Sequence, residues 1–367
     1  MSEVWHEALL YERREDGSVV CGVCPRRCHI APGKAGVCRA RLNRDGVLDS
    51  IVYARSISVA ADPIEKKPLF HFFPGTIVLS LGTVGCTFMC AHCQNWQIAH
   101  ADARAYTGDD GPSARDLREL PVEKLPLLAE RNGCAGIAWT YNEPTVWFEY
   151  VLDGAREAHK HGLYTVMVTN GYITPEALDL LAPHLDAYRV DVKAFSDAVY
   201  KRLCRVPHFQ PVLDAAVRAK HRHGCHVEIV TNVIPTLNDD DETLRGIASW
   251  IVEELGPKTP WHVTRFVPYL ELAHLPMTPV RTLEHALDIG RKAGLEFVYV
   301  GNVAGHDGEN TRCPACHRLV ARRTGYTIED LQIRGTYCAM CGADLNIRST
   351  LKQGSGTVPG ERREGSD

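Results

Sequence analysis

The sequence predicts an α/β fold, a parallel sheet or barrel with helical crossovers, flanked by two small cysteine-rich modules. Three observations predict it. Between about residues 76 and 303, short β-branched runs recur with helical segments between most of them, the pattern of βαβ units. Outside that stretch the chain is rich in cysteine, glycine and arginine and shows little periodicity. All but three of the fourteen cysteines fall in three clusters, at 21–38, 86–93 and 313–341.

Residues 1–60 read as an N-terminal cysteine-rich module. A core seldom suffices below about 70 residues, so metal staples are expected there. The α/β unit follows over 61–306. Its strands are expected at 76–81, 136–141, 165–170, 187–193, 226–234, 262–267 and 297–302, on short apolar and β-branched runs. Its helices are expected between them at 114–131, 145–161, 175–181, 211–223, 240–255 and 283–293. In such a unit functional residues gather at the carboxyl ends of the strands. Residues 307–350 return to cysteine, glycine and arginine as a zinc-ribbon or rubredoxin-like module. The tail, 351–367, is rich in glycine, serine and charge, lacks any aromatic residue, and is expected to be disordered.

Bulk composition narrows the classes. With 367 residues, 45% of them hydrophobic, the chain can bury a sizeable core. A net charge of −4 gives no drive toward nucleic acid or anionic membranes. No run of 18 apolar residues occurs, so no membrane partner is expected. Glu7, Glu12, Arg13, Arg14, Glu15 and Asp16 make residues 1–17 unlike a secretory signal. A cytoplasmic location is therefore expected, where clustered thiols are metal ligands rather than disulfides. Cys134, Cys204 and Cys225 stand alone and read as small buried hydrophobes. His71, His100 and His306 read as packing or surface histidines.

The strongest signal is Cys86-x3-Cys90-x2-Cys93. Three thiolates in a tight loop can hold three irons of a cubane and leave the fourth open to a substrate or cofactor. A zinc site completed by His92 or a distant group is the blander alternative. The motif directly follows the first expected strand of the α/β unit, at its carboxyl end, and that position favours the cluster.

This spacing after a first barrel strand resembles the radical SAM superfamily. The resemblance implies a partial (β/α)6-type barrel, a [4Fe–4S] cluster on Cys86, Cys90 and Cys93, and S-adenosylmethionine chelated to the open iron. His92 matches the aromatic position that lies beside the adenine. Residues 140–144, Thr-Tyr-Asn-Glu-Pro, resemble the Gly-Gly-Glu-Pro segment that contacts the amino group, with Tyr141 and Asn142 in place of the glycines; Asn142 and Glu143 would take that part. Thr169 and Asn170 would complete the pocket. Asp191-Val192-Lys193 is similar to the Asp-x-Lys of glycyl-radical activating enzymes, and would hold the carboxylate end directly or through a cation. The implied reaction is reductive cleavage of S-adenosylmethionine to a 5′-deoxyadenosyl radical that takes hydrogen from a protein or a small molecule. An electron donor such as a flavodoxin or ferredoxin is implied as well.

A closer likeness runs from about Cys21 to Cys341. Its pieces are the stretches 21–28, 36–38, 62–69, 93–96, 299–303 and 310–316, which resemble the radical SAM enzyme of the AmmeMemoRadiSam system, related to pyruvate formate-lyase activating enzymes. Cys313, Cys316, Cys338 and Cys341 make paired knuckles suited to Zn²⁺ or a rubredoxin-like iron, with a structural role expected. Arg318, Arg322 and Arg323 lack an aromatic stripe, so nucleic acid is not an expected partner. Cys21, Cys24, Cys28 and Cys38 could hold zinc or a second cluster; spacing leaves both open, and zinc is the preferred expectation. Residues 62–69 read as a solvated loop, or as a lid or partner surface. A reading from another class, a non-catalytic multi-metal scaffold or nucleic-acid-binding zinc protein, is disfavoured by the open-iron spacing.

Overall fold

The computed structural model describes residues 6–106 and 117–351; all of the expected tail but Leu351 lies outside them. Its centre is an eight-stranded sheet whose strands follow chain order. They are β1 (Ser58–Pro63), β2 (Ile77–Gly82), β3 (Gly136–Trp139), β4 (Tyr164–Thr169), β5 (Ala187–Asp191), β6 (His226–Val233), β7 (Trp261–Arg265) and β8 (Val298–Gly301). From β2 to β8 every pairing is parallel, and β1 adds an antiparallel edge. The strands read as near-continuous apolar runs because both faces are covered.

The main crossovers are α1 (Leu125–Arg131), α2 (Phe148–Lys160), α3 (Pro175–Leu181), α4 (Asp197–Cys204), α5 (Gln210–His221), α6 (Asp241–Trp250) and α7 (Val280–Ala293). Local chemistry sets several ends. The Asp240 side chain accepts from Thr243 N at 2.8 Å and caps α6. Thr174 caps α3 in the same way, with Pro175 in the first turn, where its missing N–H costs nothing.

Four expectations are corrected. The helix expected at 114–131 begins only at Leu125, after a 3-10 turn at Val122–Lys124, because Pro121 cannot sit inside a helix; Arg118–Glu119 form a short strand, and 114–116 lie outside the described residues. The helix expected at 240–255 is α-helical only to Trp250 and continues as a π turn to Leu255. Strand β1 and helix α4 were not expected at all. The segment 62–69 is no solvated loop: Asp62, Glu65, Lys67 and Leu69 are buried.

That segment and the C-terminal module fill the side of the sheet between its two unpaired edges, β1 and β8. Asp62 binds Lys66 at 2.8 Å and Lys67 at 2.7 Å, while the buried Glu65 accepts from Gly75 N at 2.8 Å. Ile64, Leu69 and Phe72 join an apolar cluster with Val78, Ala138 and Val166. Phe70 packs edge-on against Tyr299 of β8 with centroids 4.8 Å apart, and the Arg323 guanidinium lies 4.1 Å above the Phe70 ring. The C-terminal strands Leu319–Thr324 and Thr327–Leu331 belong to a small antiparallel sheet that buries Cys313, Val320 and Cys338 against Phe70 and Phe297. The N-terminal strands instead share the main core with α2, through Arg41 on Glu149 at 2.7 Å.

Candidate active site

The carboxyl ends of β2 to β8 open into one cavity of about 470 Å³. The loop after β2 carries Cys86, Cys90 and Cys93, and all three line it. Gly85, at φ +91°, turns the chain out of the strand. Asn142 then pins the loop: its side chain accepts from Thr83 N at 3.1 Å and donates to the Gly85 carbonyl at 2.8 Å. The Phe88 N–H donates to Cys86 Sγ at 3.3 Å. Cys204, read from the sequence as an isolated hydrophobe, is buried in α4 with its thiol hydrogen-bonded to Cys90.

Glu143 ties β3 to β4. Its Oε1 accepts from Thr145 N at 3.0 Å and from the hydroxyls of Thr145 and Thr169, each at 2.7 Å. Its Oε2 accepts from Asn170 N at 2.7 Å. Burial pushes the carboxyl up and these donors pull it down; burial wins. Asn170 reaches the cysteine loop, donating to Thr87 Oγ1 at 3.0 Å.

At the end of β5, Asp191 sits between two cations, 2.6 Å from Arg189 and 3.1 Å from Lys193. Burial works against its charge, but Arg189 and Lys193 outweigh it and hold the carboxyl below its ordinary range. Burial likewise opposes the Lys193 ammonium, and Asp191 with the nearby Cys90 and Cys204 keeps it charged. Arg189 Nε is buried without a partner, a donor left for something in the cavity. His92 is buried, lines the same cavity, and is lowered to about 3 by burial and by Lys193, so its ring is neutral.

All seven residues expected to hold the cofactor line this cavity. Sequence reasoning missed Arg189, Asn232, His262 and Thr264, which also line it. It also missed Glu228 beneath. This fully buried carboxylate accepts from the N–H groups of Phe70 and His71 at 3.1 and 2.8 Å, and from His226 and His262 at 2.9 and 2.7 Å. A signal existed for Arg189: Arg189, Asp191 and Lys193 alternate along a run that should be apolar on both faces.

The cysteine clusters differ in spacing. Four thiolates about 2.3 Å from one zinc ion stand about 3.8 Å apart. Cys313 and Cys341 have sulfurs 3.6 Å apart, and Cys316 and Cys338 3.9 Å. Among the described residues these four alone gather their ligand atoms within 4.8 Å of one another. Cys86, Cys90 and Cys93 do not draw together in that way, which suits a larger group with each thiolate on its own iron. All fourteen cysteines are free thiols.

A three-thiol loop at a strand's carboxyl end faces polar groups from the next three strands, an arrangement that could hold an iron–sulfur cluster beside a polar ligand. The chain carries a radical SAM superfamily domain, whose profile matches residues 80–247, from β2 into α6. The family implies a [4Fe–4S] cluster and S-adenosylmethionine as cofactors. An uncharacterized protein of Methanocaldococcus jannaschii is 41% identical over 343 residues, covering 93% of this chain and 99% of that protein. The pyruvate formate-lyase-activating enzyme of Clostridium pasteurianum is 25% identical over 170 residues, 46% of this chain and 66% of that enzyme. The isethionate sulfite-lyase activating enzyme of Nitratidesulfovibrio vulgaris is 28% identical over 135 residues, 37% of this chain and 43% of that enzyme. The described residues contain no helix long and apolar enough to cross a membrane.

Proposed function

We propose that the chain is a radical SAM enzyme of the activating-enzyme kind, within the AmmeMemoRadiSam system, with Cys86, Cys90 and Cys93 as cluster ligands. The observation that carries the reading is the convergence on one cavity of that loop with Glu143, Asn170, Asp191 and Lys193 from successive strand ends. A cluster held there by Cys86, Cys90 and Cys93 would supply the electron for reductive cleavage of S-adenosylmethionine, the chemistry by which a hydrogen atom would be taken from the substrate.

The chain's own residues position that cofactor. Lys193 would hold its carboxylate end by a charge-assisted bond, and Asp191, itself an anion, would act there by orienting Lys193 and Arg189 or through a bridging cation. The unpartnered Arg189 Nε adds a donor beside them. His92, a neutral ring lining the cavity, would lie beside the adenine. The Asn142 amide is engaged with Thr83 and Gly85, and the Glu143 oxygens with four donors. Their part in holding the amino group is therefore to fix the backbone and the loop around it, with Thr169 and Asn170 completing the wall.

The domain reading is a metal-stapled module at 1–60, a partial (β/α)6-type barrel at 61–306, and a zinc-holding module at 307–350. A protein substrate is favoured by the activating-enzyme relatives and by the exposed Tyr326 at the cavity wall. A small-molecule substrate is the second reading, favoured by the way Glu309 and Gly325 of the C-terminal module close in on the same cavity. The electron donor is a flavodoxin or ferredoxin, and the setting is the cytoplasm, in keeping with fourteen free thiols.

The test is anaerobic: reconstitute with iron and sulfide, reduce, add S-adenosylmethionine, and measure 5′-deoxyadenosine against Cys86→Ala. Product that depends on Cys86 supports the reading. An intact cluster that neither binds nor cleaves S-adenosylmethionine refutes it.

A further inference from the structure

The N-terminal cysteines surround open space rather than one another. Cys21 ends the strand Val19–Cys21, Cys24 and Cys28 lie in the loop after it, and Cys38 precedes the strand Arg41–Arg44. All four line one cavity, together with Arg41 and Thr87. Unlike the C-terminal quartet, they do not bring their sulfurs within 4.8 Å of one another. Cys28 and Cys38 flank Gly36, where an added Cβ would lie 3.8 Å from each sulfur. A single zinc ion needs its four thiolates about 3.8 Å apart, inside the 4.8 Å within which these sulfurs do not gather. A cubane puts each thiolate on a different iron and suits the wider ring.

A second observation is independent of the spacing. Arg41 is 2% exposed, and only its Nη2 is paired, with Glu149 at 2.7 Å. Its Nε and Nη1 are buried without partners on a side chain that lines the cysteine cavity. An anionic cluster gives those donors acceptors, and hydrogen bonds to cluster sulfurs are a means of setting its potential.

The cavity also abuts the catalytic loop. The Cys38 carbonyl lies 2.5 Å from where a Cβ on Gly85 would sit, so only glycine fits beside Cys86. Thr87 lines the N-terminal cavity, whereas its neighbours Cys86 and Phe88 line the large one. Arg26 Nε donates to the Thr87 carbonyl at 2.7 Å. One stretch of backbone is thus the wall between the two sites.

We infer that Cys21, Cys24, Cys28 and Cys38 hold a second [4Fe–4S] cluster, which passes single electrons to the cluster on Cys86, Cys90 and Cys93. A one-electron donor protein of the flavodoxin or ferredoxin class is oxidised as the second cluster is reduced. That cluster is reoxidised as it hands the same electron on, with no bond made or broken and no proton moved. The relay rests on the catalytic reading above; the metal assignment does not.

The experiment uses the full chain, reconstituted anaerobically with iron and sulfide, and counts iron, sulfide and zinc. About eight cubane irons per chain are expected, falling to about four in Cys86→Ala/Cys90→Ala/Cys93→Ala, with the electron paramagnetic resonance signal of one reduced [4Fe–4S] cluster. Cys24→Ala/Cys28→Ala should lose the other four. In the parent, the two reduced clusters should broaden each other's signals, and either variant should remove that broadening. A triple variant without cubane iron, holding two zinc ions per chain, overturns the assignment even if the double variant fails to fold. Two uncoupled cluster signals in the parent overturn the relay alone. A triple variant that keeps all the parent's iron instead refutes Cys86, Cys90 and Cys93 as ligands.

Discussion

Replacing Glu143 by glutamine keeps the side chain's size and removes its charge, so the outcome follows from hydrogen-bond accounting. The carboxylate takes four donors: Asn170 N on one oxygen, and Thr145 N, Thr145 Oγ1 and Thr169 Oγ1 on the other. A glutamine amide must turn its NH₂ toward one set. Facing Asn170, it meets that residue's N–H. Facing the other set, the two hydroxyls can rotate to accept, but Thr145 N–H cannot. Either way one buried backbone donor is orphaned, at about 1–3 kcal/mol. The surviving bonds also lose charge assistance, which roughly doubles their strength. Relief from burying a charge returns part of this, since burial already pushes the Glu143 carboxyl up. The net expectation is a loss of about 2–3 kcal/mol, read as a lower urea midpoint at unchanged slope. A Glu143→Gln protein within about 0.5 kcal/mol of the parent, the scatter of a surface change, would refute the four-donor account.

Three further outcomes are expected. Burial opposes the Glu228 charge, but His226 and His262 hold its carboxyl well below the ordinary 4.5. The unfolded chain therefore takes up the proton first, so this stability is full above about pH 4.5 and is lost as pH falls toward the folded value; urea midpoints against pH should show a slope below 4.5 that Glu228→Gln flattens. Lys193→Met should weaken S-adenosylmethionine binding by about tenfold or more, the worth of one charge-assisted contact, with cluster iron unchanged; equal affinity by anaerobic calorimetry would remove Lys193 from the cofactor site. Cys341→Ser should release the metal of the C-terminal quartet, measured as about one zinc ion lost per chain by elemental analysis, and an unchanged zinc content would place that metal elsewhere.

Much of the fold was legible because the parallel strands are covered on both faces. Runs such as Gly136–Trp139, Gly-Ile-Ala-Trp, are apolar and buried throughout. What escaped was short or contrary to composition. Helix α4 offers two turns with Tyr200, Leu203 and Cys204 as its buried residues, too brief for a clear period. Strand β1, Ser-Val-Ala-Ala-Asp-Pro, is weak in β-formers and is held by its place at the sheet edge. The cysteine loop could be read because its ligands are local in sequence. Glu228, His226 and His262 could not: the contacts that satisfy them come from three segments far apart in the chain. The segment 62–69 left a solvated loop and a lid or partner surface equally open for the same reason: nothing local shows that Asp62 pairs with Lys66 and Lys67 and accepts from the Tyr141 hydroxyl at 2.7 Å.

The two outer modules follow from what the central sheet lacks. A sheet that ends at β1 and β8 without closing leaves unpaired edges and an uncovered interior. On one side the plug at 64–72 is locked by the C-terminal module, through His71 on the Leu345 carbonyl at 2.8 Å and Arg323 on the Phe70 carbonyl at 3.2 Å, and by β8, through the Tyr299 hydroxyl 2.6 Å from His71. The same module brings Glu309 and Tyr326 to the cavity wall, so the C-terminal quartet, by fixing that small sheet, fixes part of the wall a substrate meets. On the other side the N-terminal module braces the base of the cysteine loop through Cys38, Arg26 and Thr87. A change of metal state in either outer quartet would therefore be felt at the central cavity through a few named contacts: Tyr299 and Arg323 from one side, Gly85 and Thr87 from the other.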